Sequence, residues 1–249
     1  MIIPNKNDAL HKSWLYRILE RIADDPFLPA VLRFKGGTCA SMLGWLDRFS
    51  VDLDWDYAGD TKQIVATRVA LEHIFATLGL TTKDSSKRGI QYFLQYPSAG
   101  RNTIKIDTSF PLLAANHYAP QRLPEIDRIL TCQTIETMFA HKLLALIGRS
   151  EAGGKIAGRD VYDIHCFFMR GYRYSADVIH EGSGLKVIDF LEKLSAFVDR
   201  KITDQIISED LNYLLPTKQF QLIRKVLKRE VLTLIRDELS RLTGAPVII

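Results

Sequence analysis

Lys35-Gly36-Gly37-Thr38 and, after thirteen intervening residues, the run Asp52-Leu53-Asp54-Trp55-Asp56 decide how this chain is read. Val51, Leu53 and Trp55 alternate with Asp52, Asp54 and Asp56, the period-2 pattern of a strand with one apolar and one acidic face. Asp52 and Asp54, two apart in extended chain, project to the same side. Like charges so close repel, and a divalent cation removes the conflict. Magnesium takes one or two protein carboxylates and fills the rest of its octahedron with phosphate oxygens and water. Asp56 reads as solvated or as a cap on the following turn. Gly36 and Gly37 permit positive φ and close approach of a ligand, and Thr38 offers a hydroxyl and an amide to an anion. Thr38 is also the expected N-cap of a short helix, Cys39 to Leu46, whose N-terminal amides favour a triphosphate. Alone, the glycines have a steric reading and the acids a solvent-face reading. Together they point to nucleotidyl transfer.

The stretch FKGGTCASMLGWLDRFSVDLDWD, residues 34–56, resembles the first motif of the AbiEii/AbiGii toxin family of minimal nucleotidyltransferases, relatives of the DNA polymerase β superfamily. Arg48, Phe49, Ser50, Asp52 and Asp54 all match its Arg-Phe-Ser-x-Asp-x-Asp pattern. ETMFAHKLLALIGR, residues 136–149, is similar to the family's lysine-bearing helix through Lys142 and Arg149. GRDVYDIHCF, residues 158–167, is similar to its Arg-Asp-x-Tyr-Asp helix through Arg159, Asp160, Tyr162 and Asp163. The resemblance implies an α/β nucleotidyltransferase-type mixed sheet with flanking helices, followed by a helical domain. It implies Mg²⁺ or Mn²⁺ on Asp52 and Asp54 and an NTP as co-substrate. Nucleotide contacts fall to Gly36, Gly37, Thr38, Lys142, Arg149, Arg159 and Asp160, and catalytic roles to Asp52, Asp54, Asp107, Lys142 and Asp163. It further implies a toxin that adds nucleotides to RNA, above all to the 3′ end of tRNA, and a cognate antitoxin.

The residues themselves qualify some of these roles. Lys105 and Asp107 share a strand face opposite Ile104 and Ile106; the resemblance implies Asp107 as the third carboxylate, a metal ligand or general base, although a Lys-Asp surface pair is also a common bland arrangement. Lys142 lies among apolar neighbours, so its ammonium needs a counter-charge or an exit to a helix edge. Arg149, seven residues on, is on nearly the same helical face. Arg159 and Asp163 form an i, i+4 pair, and with Asp160 they suit a supporting role that orients Lys142 or the nucleotide. The six histidines show no metal-ligand spacing and read as structural.

Along the chain, apolar periodicity predicts helices over about 9–23 and 61–78, with Gly79 as a stop, and a strand over 31–34. It further predicts a hairpin of IQYFLQY and NTIKIDTSF joined by Pro97-Ser98-Ala99-Gly100, and strand character over 128–131. From Ile135 on the pattern is helical. We therefore expect a catalytic domain over 1–130 and a helical domain over 131–249, dividing near 127–133.

Three scattered cysteines argue against a disulfide framework or a zinc site, and no stretch reaches membrane-spanning length, so a cytoplasmic enzyme is expected. The net charge of +4 is C-terminal: residues 218–241 hold seven Lys/Arg against three Asp/Glu, and the remainder balances at 26 against 26. Arg224, Lys225, Lys228 and Arg229 are read as the outer, basic stripe of one helix, an RNA-backbone grip or a solvated face, with too few aromatics along it for base stacking. Transfer to a small molecule or a protein hydroxyl, and a noncatalytic RNA-binding module of the same fold, remain open at this stage.

Overall fold

A computed structural model describes residues 1–6, 8–86, 89–98, 100–151 and 153–244. Ala99 of the expected hairpin turn lies outside them. The chain divides into two units, Met1–Leu112 with His117–Thr134, and Leu113–Asn116 with the chain from Ile135 onward. The last strand of the first unit ends at Gln133, so the sheet reaches three residues past the expected division at 130.

The first unit runs α1 (Asp8–Asp24), α2 (Leu28–Val31), β1 (Leu32–Lys35), α3 (Gly36–Met42), β2 (Leu53–Tyr57), a 3₁₀ turn (Thr61–Gln63), α4 (Ile64–Thr77), β3 (Thr81–Ser85), β4 (Gln91–Gln95), β5 (Thr103–Ser109), β6 (Tyr118–Leu123) and β7 (Arg128–Gln133). The strands form a seven-stranded sheet in the order β3-β4-β5-β2-β1-β7-β6. β2 with β5 and β1 with β7 pair parallel, and the other neighbours antiparallel, so the sheet is mixed. Phe34, Leu53, Trp55, Ile104 and Ile106 are fully or almost fully buried, and the Phe34 and Trp55 rings lie 4.8 Å apart across β1 and β2. This is the apolar face the alternation demanded.

Three sequence expectations shift. Val31 ends a short helix and does not open the first strand. β3 and β6 were not legible: β3 is exposed along its length and bulged between Thr82 and Asp84, and β6 carries Pro120. Both are edge strands, where charge, a bulge or a proline replaces the apolar alternation that sequence reading relies on. The short helix begins at Gly36, with Lys35 and not Thr38 in the N-cap position.

The second unit is helical among its described residues: α5 (Ile135–Glu151), α6 (Gly158–Met169), α7 (Ala176–Ser183), α8 (Val187–Lys201), α9 (Asp204–Leu211), α10 (Thr217–Ile223) and α11 (Leu227–Thr243). α6 packs against α5, α9 and α11. Gly158 opens α6 where a Cβ would stand 2.4 Å from the Ile206 carbonyl oxygen, so only glycine lets α6 start against α9.

Candidate active site

Strand pairing fixes the site in the first unit. Asp54 of β2 pairs with Lys35 of β1 on one side and with Asp107 of β5 on the other. Residues opposite one another in a ladder share a face, so the two carboxylates stand side by side on the sheet face opposite the core. Asp107 is partly exposed and held by Lys105 Nζ at 2.5 Å and Gln91 Nε2 at 3.0 Å. Asp52 lies just before β2 and, like Asp54, is half-buried.

Gly36 has φ +77°, and a Cβ there would lie 2.3 Å from Asp54 Oδ2. The glycine is therefore required twice, by its backbone and by the carboxylate lying against it. A Cβ on Gly37 would lie 2.7 Å from Arg48 Nη2 and 2.8 Å from Ser50 Oγ. The Arg-Phe-Ser segment is thus internal: Arg48, Phe49 and Ser50 are all buried.

Side chains hold four carbonyls of the segment that delivers Asp52. Ser41 Oγ donates to Arg48 O (2.8 Å), Arg48 Nη1 to Phe49 O (2.9 Å), His11 Nε2 to Val51 O (2.9 Å) and Thr38 Oγ1 to Asp52 O (2.5 Å). Thr38 is fully buried and its hydroxyl proton goes to that carbonyl, so its hydroxyl positions Asp52 and does not face an anion. His11, fully buried on α1, also meets Tyr96 Oη at 2.8 Å. Burial holds its pKa below the usual 6.5, against the pull of the Val51 hydrogen bond.

Asp56 departs from the expectation of a solvated or capping residue. It is 1% exposed and accepts from Lys35 Nζ (2.6 Å), Tyr118 Oη (2.8 Å) and Gln133 Nε2 (2.5 Å), while Lys35 also donates to Ser109 Oγ (2.6 Å). This network ties β1, β2, β5, β6 and β7 beneath the site. No sequence signal marked Tyr118 or Gln133, because their partners lie 62 and 77 residues away.

In the second unit, Lys142 of α5 meets Asp163 Oδ2 at 2.8 Å and Asp160 Oδ1 at 3.0 Å. Asp160 Oδ2 accepts no hydrogen bond and faces Arg149 Nη2 at 3.4 Å, an electrostatic contact. Both carboxylates are fully buried. The counter-charge Lys142 needed is therefore this pair, and Asp160 and Asp163 have no exposed surface with which to touch a nucleotide directly. Asp163 is engaged by Lys142 and not, as expected, by Arg159, whose backbone N–H instead donates to Asp210 Oδ2 at 3.4 Å. Two buried carboxylates against one largely buried and one exposed cation form a set that the carboxylates and Lys142 cannot leave cheaply.

The expected basic stripe is broken. α10 ends at Ile223 and α11 starts at Leu227, so Arg224 and Lys225 sit in the turn between them. Arg224 lies over the Phe220 ring, and Lys228 Nζ donates to Asp199 O at the end of α8, leaving Lys225 and Arg229 as the exposed pair.

The donor set suits a hard divalent cation. Among the described residues no three His, Cys, Asp or Glu side chains converge to hold a metal by themselves. Asp52 and Asp54, with Asp107 alongside, supply the one or two carboxylates magnesium takes when phosphate and water complete its shell. Among the described residues no helix is long and apolar enough to cross a membrane.

A mixed sheet with a glycine turn packed on a strand carboxylate, followed by a helical unit, is the architecture of a nucleotidyltransferase. The fold is that of a structure from H. pylori described as a nucleotidyltransferase, with a TM-score of 0.58 at 19% identity, covering 96% of this chain and 98% of that one. JHP933 from Helicobacter pylori is also similar, with a TM-score of 0.52 at 16% identity and the same coverage. A search of curated proteins finds no match. The family model for the nucleotidyl transferase AbiEii toxin of type IV toxin–antitoxin systems matches residues 17–234, and the chain belongs to that family.

Proposed function

We propose that this enzyme transfers a nucleoside monophosphate from an NTP to a hydroxyl of RNA, above all at the 3′ end of tRNA, and so halts translation in the cytoplasm until an antitoxin counters it. The acceptor oxygen forms a bond to the α-phosphorus, the bond to the β-phosphate breaks, and pyrophosphate leaves. The observation that carries this reading is Asp54 standing in register with Asp107 on the open sheet face, against the Gly36 turn.

Asp52 and Asp54 would hold Mg²⁺ or Mn²⁺, which would supply positive charge to the phosphate oxygens. The four side-chain clamps on residues 48–52 keep Asp52 in place without reorganisation during the reaction. Asp107 exchanges its bond to Lys105 for the acceptor hydroxyl, and is placed to take its proton. The backbone amides of Gly36 and Gly37 hold the triphosphate. Lys142 and Arg149 supply cationic charge to the phosphates, with Asp160 and Asp163 acting through Lys142. Arg159 orients the nucleotide's base and ribose.

The direct experiment incubates the purified protein with each labelled NTP, Mg²⁺ and total RNA. Label in tRNA-sized material supports the proposal. Label on protein or on a small molecule contradicts the RNA acceptor, and no label with any NTP contradicts the reaction itself.

A further inference from the structure

The loop Arg170-Gly171-Tyr172-Arg173-Tyr174, between α6 and α7, carries two arginines and two tyrosines in five residues. None of them belongs to the family motifs above. With Phe168, and with Glu238 and Arg241 of α11, residues 171–174 of the loop line a cavity of about 170 Å³ within the second unit. That volume suits one planar heterocycle and not a whole nucleotide.

The aromatic walls are held from below. Phe168 and Tyr174 both pack edge-on against the buried Phe139, with centroids at 4.8 and 5.7 Å, and Tyr172 lies against the buried Phe167 at 6.0 Å. The backbone is pinned at both ends: Tyr172 N–H donates to Phe167 O (3.0 Å), Ser175 N–H to Glu136 O (3.0 Å), and Gly171 takes φ +70° at the bend. Tyr174 Oη donates to Glu238 at 2.6 Å, and Arg241 grips the same carboxylate at 2.6 and 2.7 Å. Burial pushes the Glu238 carboxyl up, but the Arg241 and Tyr174 hydrogen bonds outweigh it and keep the group ionised. Arg173 and Arg241 against Glu238 leave a surplus of positive charge around the opening, and both arginines are exposed.

Preformed aromatic faces beside exposed arginines are what single-stranded nucleic acid uses: a base stacks on the ring and the guanidinium takes the flanking phosphate. Bases within a duplex cannot offer that face. We infer that this cleft is a subsite for one unpaired nucleotide of the RNA acceptor, with Tyr172 stacking the base and Arg173 holding the adjacent phosphate. This rests on the RNA reading above. It also moves the RNA contact away from the broken basic stripe at Arg224 to Arg229.

The test measures binding of a 5′-labelled RNA hairpin with an unpaired 3′ tail across a salt series, for the full-length protein and for Tyr172→Ala, Tyr172→Phe and Arg173→Gln, each checked for an unchanged melting transition. The subsite predicts that Tyr172→Ala weakens binding about fivefold or more while Tyr172→Phe retains it. Arg173→Gln weakens binding and lowers the slope of log K against log salt by about 0.7. Wild-type binding that none of the three variants changes overturns the subsite and leaves the RNA acceptor standing. Absence of wild-type binding, with label transferred to a non-RNA acceptor, overturns the underlying reading and the subsite with it.

Discussion

Asp54 and Asp107 are direct ladder partners across β2 and β5, so two carboxylates from segments 53 residues apart share one sheet face, and Lys105 at 2.5 Å is the cation now balancing the second of them. If Asp107 serves the metal-bound substrate, that lysine competes. The pair is about a third exposed, which limits its worth to roughly 0.5–1 kcal/mol. Lys105→Met should therefore lower the metal concentration for half-maximal transfer by about two- to fivefold. Asp107→Asn should lower kcat without moving the melting temperature. A metal titration of both variants checks this.

Gly36 and Gly79 have nearly the same backbone, φ +77° and +69°, yet a Cβ at Gly79 would meet nothing within 4 Å while one at Gly36 would strike Asp54. Alanine at either position should cost about 1–2 kcal/mol from the left-handed conformation. Only Gly36→Ala should also lose transfer activity, because only there must the Asp54 carboxylate move. Denaturant melts paired with activity assays separate strain from displacement.

Lys142 faces two fully buried carboxylates, so Lys142→Met should destabilise the protein by about 3–5 kcal/mol, the range for breaking a buried ion pair from one side. Adding Asp160→Asn and Asp163→Asn removes the uncompensated charge and should restore most of that stability. If Lys142 also serves the triphosphate, the triple variant folds but keeps a raised KM for NTP. Melts and kinetics on the same preparations distinguish the structural from the nucleotide-binding part.

His11 is neutral where it is buried, with a pKa below 6.5 set first by desolvation and further lowered by Arg101, against raising contributions from Val51 O and Asp8. The unfolded chain binds this proton at higher pH than the folded one. Stability is therefore complete above about 6.5 and falls as pH drops toward the folded value, by at most about 1.4 kcal/mol per pH unit. Because His11 clamps Val51 O next to Asp52, activity should fall in the same window. Comparing melting temperature against pH for wild type and His11→Gln checks it, with a flatter acid limb expected in the variant.

The site's local parts were legible because they are written in short-range pattern. Alternation placed Asp54, the glycines announced the turn, and helical spacing put Lys142 and Arg149 on one face. Asp56 was misjudged because its burial depends on Tyr118 and Gln133, which arrive through β6 and β7, and an edge strand carrying Pro120 leaves no apolar period to read. Thr38 has the chemistry of an N-cap, but the helix begins three residues earlier than that cap would set because Gly36 tolerates the φ that starts it, and the hydroxyl turns to Asp52 O. Gly-Gly-Thr looks like a ligand contact in sequence, and Arg-Phe-Ser like part of the same motif. In three dimensions much of their work is mutual: Arg48 and Ser50 pack on Gly37, and Thr38 holds the residue after Val51.

The most direct measurement compares label transferred from NTP to RNA by wild type and by Asp54→Asn, both shown folded by the same melting transition. The account predicts a loss of at least about a thousandfold, since the electrostatic stabilisation at stake is worth several kcal/mol. Transfer by folded Asp54→Asn within about tenfold of wild type, some 1.4 kcal/mol, would contradict it.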